Sequence, residues 1–237
     1  MTETIAAPRP SRDVDRLFYL GMAVVVAVVV FVGFAPTYYL RSSASSGALP
    51  LHLHVHGLLF SAWIGFLIVQ TSLVAARRTS WHRRLGWGGA VLAVLVVAAA
   101  TTAGITTARR EAAAGLQDAA EAFLTIPIFS MLAFSGLVAS AVLLRSRPQA
   151  HKRLMLLATI SVLDAPIARW PGAPGATGVF VLVDLLIVAG ILYDMVSRRR
   201  VHAAYLWGGA VVLASQWPRD PVGRSDVWHA VAAALIG

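Results

Sequence analysis

The sequence contains no cysteine and few charges. The lack of cysteine among its 237 residues excludes disulfides, zinc ribbons, Cys-ligated iron–sulfur clusters and C-x-x-C-H haem attachment. Charged residues make up 13% and hydrophobic residues 58%, whereas soluble domains average about 25% charged and roughly 45–50% apolar. This balance excludes a soluble enzyme, a disordered chain and a fibrous repeat. The Walker loop, the Rossmann fingerprint, H-E-x-x-H and G-x-S-x-G are also missing, so phosphate-binding and acyl-transfer motifs are absent.

Long apolar runs dominate the chain instead. A transmembrane helix needs about 20 apolar residues to cross a hydrocarbon core roughly 30 Å thick. We therefore expect an all-α polytopic membrane bundle with seven transmembrane helices, at 17–39, 51–76, 85–108, 120–144, 154–168, 178–197 and 203–217. An N-terminal tail, 1–16, precedes this 17–217 domain, and a tail with a short interfacial helix, 218–237, follows it.

The first apolar run is followed by Ser43-Ala44-Ser45, which resembles a signal-peptide cleavage site. The apolar region of a signal peptide is about 7–15 residues long. Because this run is longer, we expect an uncleaved membrane anchor.

The basic residues predict the orientation, because cytoplasmic loops are enriched in Lys and Arg. One set of alternate segments carries 14 of them: Arg9, Arg12, Arg16, Arg77, Arg78, Arg83, Arg84, Arg145, Arg147, Lys152, Arg153, Arg198, Arg199 and Arg200. The other set carries six: Arg41, Arg109, Arg110, Arg169, Arg219 and Arg224. We therefore expect a cytoplasmic N-terminus and a periplasmic C-terminus. The net charge of +9 then records topology and not nucleic-acid binding.

Two predicted cytoplasmic loops share the pattern R-x-x-x-H-[RK]-R-L, at 78–85 and 147–154. The copies are 69 residues apart, about the length of a helical hairpin with its connection. This spacing favours a tandem repeat of the hairpins 51–108 and 120–168. The alternative is two basic loops that acquired similar membrane anchors independently.

Histidines of the two loops form the first candidate site. His82 and His151 would lie at equal depth on neighbouring helices, where they could bind a haem b or a transition metal between them. Adjacent basic side chains are candidates to pair with haem propionates; they are Arg83, Arg84, Lys152 and Arg153. The alternative is that these histidines are interfacial anchors.

A second candidate site lies at the opposite face. Imidazoles and carboxylates together suit Zn, Mn or Fe, and carboxylates inside a membrane are functional candidates by default. The residues predicted to form this metal site are His52, His54, His56, Asp164, Asp184 and Glu121. The alternative is that Asp164 pairs with Arg169. On span six, Asp194 and Arg198 are spaced to form a salt bridge.

The segments His54-Val-His56-Gly, His82-Arg83-Arg84-Leu85-Gly86 and His151-Lys152-Arg153-Leu154-Met155 resemble a widespread group of bacterial polytopic inner-membrane proteins that offers no function to transfer. More distantly, the chain is similar to cytochrome b561-like and haem-copper-oxidase assembly-type membrane proteins. That likeness implies haem ligation by paired histidines. His82 and His151 match this pattern, whereas the three outer histidines all lie on one span and depart from it.

These observations favour a bacterial inner-membrane protein that binds haem or metal and acts in electron transfer or respiratory-chain assembly. A metal-dependent membrane enzyme with a periplasm-facing His/Asp site is one alternative. A non-enzymatic transporter or scaffold that uses Asp164 and Asp184 is another. We expect the lipid bilayer, other respiratory membrane proteins and a second copy of the chain as partners, and no nucleic acid.

Overall fold

A computed structural model describes residues 12–42 and 47–237. The residues 1–11, most of the predicted N-terminal tail, and the Ser43-Ala44-Ser45 motif lie outside the described residues. The described part contains helices and no strands. The helices are α1 (Arg12–Phe34, continued by a π-helical turn at Ala35–Tyr39), α2 (Leu51–Ala75), α3 (Thr79–Ala113), α4 (Gln117–Phe123), α5 (Thr125–Leu143), α6 (Pro148–Ile160), α7 (Asp164–Ile167), α8 (Gly175–Arg198), α9 (Ala203–Gln216), α10 (Arg219–Gly223) and α11 (Asp226–Ile236).

Five helical segments of the described chain are long and apolar enough to cross a membrane. They are Asp13–Tyr39, Leu51–Ala75, Thr79–Ala113, Gln117–Leu143 and Gly175–Arg198. A helix is the expected form of these runs, because lipid gives the backbone no hydrogen-bonding partner. The chain is thus compatible with a multi-pass membrane protein.

The other two predicted spans form shorter helices. The helix α6 has 13 residues and α9 has 14, so neither reaches the length of about 20 residues that a lone spanning helix needs. Each is followed by a break and a second short helix, α7 after α6 and α10 after α9.

The helix α6 lies at the centre of the bundle. It packs against α5 and α9 and also contacts α1 and α8. Most of its side chains are buried; Leu154, Leu157 and Ile160 have no exposed surface. Neighbouring helices therefore cover α6 on most sides, although His151, Lys152 and Arg153 lie in its first two turns.

Close helix contacts depend on small residues, as is common in membrane bundles. A Cβ atom added at Gly33 of α1 would overlap the carbonyl oxygen of Pro166 in α7. A Cβ at Gly190 of α8 would meet the ring of Tyr205 in α9 at 2.5 Å. These two glycines set the distances at which α1 meets α7 and α8 meets α9.

The helix α11 packs on α3 and α4 at the other end of the chain. Trp228 and Ala232 join Ala108, Ala120 and Leu124 in a small apolar cluster separate from the main core. The C-terminal tail therefore carries a helix that is tied to the bundle.

Candidate functional site

In the first candidate site, which we call the inner site, His82 and His151 lie close together. His82 lies in the first turn of α3 and His151 in the first turn of α6. Their ring centroids are 6.2 Å apart, with the ring planes at 76°. An imidazole nitrogen binds a metal at about 2.0–2.1 Å, so two rings on one ion have centres roughly 5–6 Å apart. The two rings are therefore close to the spacing of a shared metal ligand pair.

The ring of His151 is held by one hydrogen bond. Its Nδ1 atom lies 2.8 Å from the carbonyl oxygen of Ala141 in α5. Metal-binding histidines commonly donate one ring N–H to a backbone carbonyl, which fixes the ring and leaves the other nitrogen to bind. If Nδ1 carries the proton, Nε2 is the ligand atom of His151.

Unpaired polar atoms occur on His82 itself and on Gln70, whose backbone lies next to it. The Nδ1 atom of His82 is buried and has no hydrogen-bond partner within the described ranges, and neither do the amide nitrogen and oxygen of Gln70. Gln70 is 8% exposed on the core-facing side of α2, and the ring of His82 lies beside its backbone. Buried polar groups without partners are rare in folded proteins, and each needs an explanation.

The basic residues near the pair have different roles from those expected. Arg83 is exposed, as a propionate partner would be. Arg153 has no exposed surface; its Nε donates to Oδ2 of Asp194 at 2.9 Å, and a second nitrogen contacts Oδ1. The proposed pairing of Arg153 with a haem propionate is therefore not supported, because a carboxylate of the protein already occupies its guanidinium.

Asp194 receives several donors in addition to Arg153. The backbone N–H of His202 donates to its Oδ2 at 3.0 Å, and Nε of Arg198 lies 3.6 Å from its Oδ1. The predicted Asp194–Arg198 salt bridge is confirmed, but Arg153 is the closer partner. The fully buried pair of Arg153 and Asp194 joins the start of α6 to the end of α8.

Asp15 forms a second ion cluster beside this pair. Its carboxylate contacts the ammonium of Lys152, lies 3.0 Å from Arg198 and accepts a hydrogen bond of 3.3 Å from the hydroxyl of Tyr193. Sequence reasoning missed Asp15. Its position just before the first apolar run, among basic residues, was the available signal.

A further histidine, His202, has a structural role at the start of α9. The Nδ1 atom of His202 accepts the backbone N–H of Ala204 at 3.1 Å and so caps the N-terminus of α9. This capping role separates His202 from His82 and His151.

The outer histidines occupy the first two turns of α2. His52 and His56 lie on the same side of the helix, while His54 is exposed and its ring is 6.0 Å from that of Tyr38. Nε2 of His52 and Nδ1 of His56 are buried without hydrogen-bond partners in the described part of the chain. His52 also lines an open groove between α2 and α3.

The outer metal site is not assembled as predicted. Of the described residues, the one group of three metal-ligating side chains with ligand atoms within 4.8 Å of one another is Asp118, Glu121 and His229. The histidines at 52, 54 and 56 are thus not grouped with Asp164, Asp184 or Glu121; Asp164 pairs with Arg219, and Glu121 pairs with His229.

Asp164 pairs with Arg219, and this pair joins the two helix breaks. Asp164 is the first residue of α7 and Arg219 the first residue of α10. A nitrogen of Arg219 contacts Oδ2 of Asp164, and a second donates to Oγ of Ser130 at 2.9 Å. Ser130 in turn donates to Oδ2 of Asp164 at 3.2 Å. The alternative pairing of Asp164 with Arg169 is replaced by this pair, in which both side chains are buried.

Asp184 lies in the same region, on α8. Its carboxylate lies beside the side chains of Gln216 and Trp217, but its Oδ1 and both amide atoms of Gln216 lack hydrogen-bond geometry with any described residue. Gln216 is 1% exposed. Two carboxylates, one guanidinium and an unpaired amide therefore share the layer where α6 and α9 end.

Glu121 pairs with a residue that sequence reasoning left unassigned. Its Oε2 contacts Nδ1 of His229 in α11, and the indole N–H of Trp228 donates to its backbone oxygen at 2.8 Å. Glu121 is 5% exposed. The neighbourhood of α4 and α11 could not be inferred from a spacing of 108 residues.

No family model, curated protein or solved structure matches the chain. Its chemistry must therefore be argued from its own residues. Those residues form an imidazole pair near the starts of α3 and α6, a polar layer at the two helix breaks, and an imidazole–carboxylate cluster between α4 and α11.

Proposed function

We propose that the chain is a multi-pass protein of a bacterial inner membrane that holds a redox-active metal centre between His82 and His151. The centre would be haem b or a transition-metal ion, and the protein would act in electron transfer or respiratory-chain assembly. The observation that carries the proposal is the separation of 6.2 Å between the two ring centroids.

The surroundings of the pair support this role. The Ala141 carbonyl fixes the ring of His151, as a supporting group does at a metal site. A metal bound at His82 would also give a partner to its buried Nδ1 atom, which has none among the described residues. Arg83 is the exposed cation next to His82, so in the haem form it is the candidate partner of a propionate.

The proposal includes seven crossings with a cytoplasmic N-terminus. The excess of Lys and Arg in one set of segments supports that orientation. The short helix α7 follows the break after α6, so α6 and α7 together cover residues 148–167, which number 20. In the same way, α9 and α10 together cover residues 203–223, which number 21. A run of about 20 residues is the length that a membrane span needs.

Absorption spectra and metal analysis of the purified chain test the proposal. The protein is made in a bacterial host supplied with a haem precursor, and three variants are compared with it: His82→Ala, His151→Ala and His54→Ala. We expect a Soret band, or one bound transition-metal ion per chain that depends on these two histidines, in the wild type and in His54→Ala, and the loss of that signal in both of the other variants. The His54 variant is the matched control, because it removes an exposed histidine elsewhere. Folded wild-type protein with neither signal would refute the proposal.

A second candidate function, a solute carrier or proton relay, rests on the polar layer at the helix breaks. Interrupted membrane helices often form ion or substrate sites, and here Asp164 and Arg219 join two such interruptions. Asp184 and Gln216 add unpaired polar atoms to the layer. Proton or cation flux in proteoliposomes tests this candidate: flux that is lost in Asp184→Asn and kept in His82→Ala supports it, and equal flux in empty vesicles excludes it.

A further inference from the structure

A compact group of metal-ligating atoms lies between α4 and α11. One ligand atom from each of Asp118, Glu121 and His229 is within 4.8 Å of the other two. Ligands around a transition metal bound at about 2.0–2.2 Å are separated by roughly 3–4 Å, so a small side-chain adjustment brings these atoms to binding distance. The set combines one imidazole and two carboxylates, which suits Zn²⁺ and its neighbours.

The group has more negative than positive charge, which favours the binding of a cation. Asp118 and Glu121 lie one helical turn apart, and like charges at that spacing repel. In the described ranges, no Lys or Arg nitrogen forms a salt bridge with either carboxylate, and His229 is the only ion partner of Glu121. Even a protonated His229 would leave the group with a net negative charge. A divalent cation would compensate it.

The packing of α11 holds the group in place before any ion binds. The indole N–H of Trp228 donates to the Glu121 carbonyl at 2.8 Å, and Ser225 caps the start of α11. At the other end, Arg109 donates to the carbonyl oxygens of Leu235 and Ile236 at 3.2 and 2.9 Å. Pre-positioned ligands lower the cost of ordering a site on binding.

The group is buried on one side and open to solvent on the other. Glu121 is buried and His229 is partly buried, whereas Asp118 is exposed. Gln117 donates to Oε1 of Glu121, which orients the buried carboxylate as a supporting group does at a metal site. Three protein ligands on one side leave the solvent-facing position open, which is the coordination of catalytic or exchangeable zinc.

We propose that Asp118, Glu121 and His229 form a binding site for a divalent transition-metal ion, with Zn²⁺ as the probe. This site is separate from the His82–His151 pair and shares no residue with it. It also gives a function to α11, which carries one ligand to the other two.

Zinc binding by the purified full-length chain tests the proposal. The protein is stripped of metal with a chelator, and the double variant His82→Ala, His151→Ala serves as background, so that the inner pair cannot contribute. We expect this background to bind one Zn²⁺ per chain in equilibrium dialysis. Asp118→Asn removes a charged ligand and should weaken binding by at least the roughly tenfold that loss of a group supporting a ligand costs, and Glu121→Gln and His229→Gln should abolish it.

Two controls keep the result interpretable. Asp118 is exposed, so its variant folds even if the other two disturb the packing of α11. Asp226→Asn removes an exposed acid of the same helix, and its Zn²⁺ affinity should equal that of the background. A background that binds no Zn²⁺, or that binds it equally with Asp118→Asn and His229→Gln, overturns the proposal. Folded wild-type protein with neither a Soret band nor a metal bound at His82 and His151 would refute the redox function and leave this site standing.

Discussion

The carboxylate of Asp194 is bound by the guanidinium of Arg153, and neither side chain has any exposed surface. Removing one partner of such a pair leaves an uncompensated buried charge, which costs about 3–5 kcal/mol. We therefore expect Arg153→Met to lower the free energy of unfolding in detergent by that amount. The exposed Asp13–Arg77 pair is the control, because Arg77→Met there should cost about 0–1 kcal/mol.

The same pair predicts a partial rescue. Replacing both partners, as Arg153→Met with Asp194→Leu, removes the isolated charge and should recover much of the loss. Denaturant titration followed by circular dichroism measures the three variants. A double variant no more stable than Arg153→Met would show that other donors to Asp194, such as the His202 backbone, matter more than the Arg153 charge.

Substitution by alanine should have different effects on stability at two glycines of α1. A Cβ at Gly33 would overlap the backbone of Pro166, whereas a Cβ at Gly21 meets nothing within 4 Å. Gly33→Ala should therefore force α1 from α7 and cost about 1–3 kcal/mol. Gly21→Ala should be neutral or stabilising by up to about 1 kcal/mol, since alanine is the better helix former. Thermal unfolding of both variants in the same detergent makes the comparison; equal melting temperatures would contradict the close contact.

The His202 cap predicts a pH dependence. Burial, together with the positive charge of Arg153, holds the pKa of His202 below its ordinary value of 6.5. The unfolded chain therefore binds this proton more readily, so the contribution of His202 is complete above that value and is lost as pH falls through it toward the folded-state pKa.

His202→Asn keeps a capping side chain but removes the titration. The melting temperature of the wild type should fall faster than that of the variant between about pH 8 and pH 5. If the melting temperatures of the two proteins fall in parallel with pH, the proposed contribution of His202 titration is excluded. At pH 8, His202→Ala should lose about 1 kcal/mol through loss of the cap.

The absence of cysteine makes the proposed topology directly testable. With seven crossings, a membrane-impermeant maleimide should label single cysteines at Ala114, Ala176 and Ala230 in cells whose outer membrane alone is permeabilised. Cysteines at Ser80 and Ser146 should be labelled only after the inner membrane is opened. Labelling of Ala176→Cys together with Ser146→Cys would mean that α6 and α7 do not cross.

Hydropathy and the spacing of charges predict an all-helical fold, because a chain segment in lipid must form its backbone hydrogen bonds within itself. The repeated H-[RK]-R-L pattern also predicts that His82 and His151 lie at one level, and their rings are 6.2 Å apart. These inferences depend on residues close in sequence, or on a repeat. The repeat predicts the common level, but the short distance between the two rings also depends on which helices are neighbours.

The pairs that depend on helix neighbours were not predicted. Arg198 is one turn from Asp194, so its salt bridge could be found, but Arg153 is 41 residues away and is the closer partner. Arg219 was counted as a topology signal, and its burial against Asp164 follows from the break at Trp217–Pro218. No periodicity encodes such contacts, because they are set by tertiary packing.

The burial of α6 has a consequence for how the protein is made. A helix of 13 residues that has Lys152 and Arg153 in its first two turns and is covered by α1, α5, α8 and α9 gains little from contact with lipid. It must therefore enter the membrane with protein neighbours, and one of them, α9, is synthesised about fifty residues later. The centre of the molecule is consequently completed late, so a chain that stops before Ala203 should retain α1 to α5 yet leave Arg153 without the ring of Tyr205 that covers it.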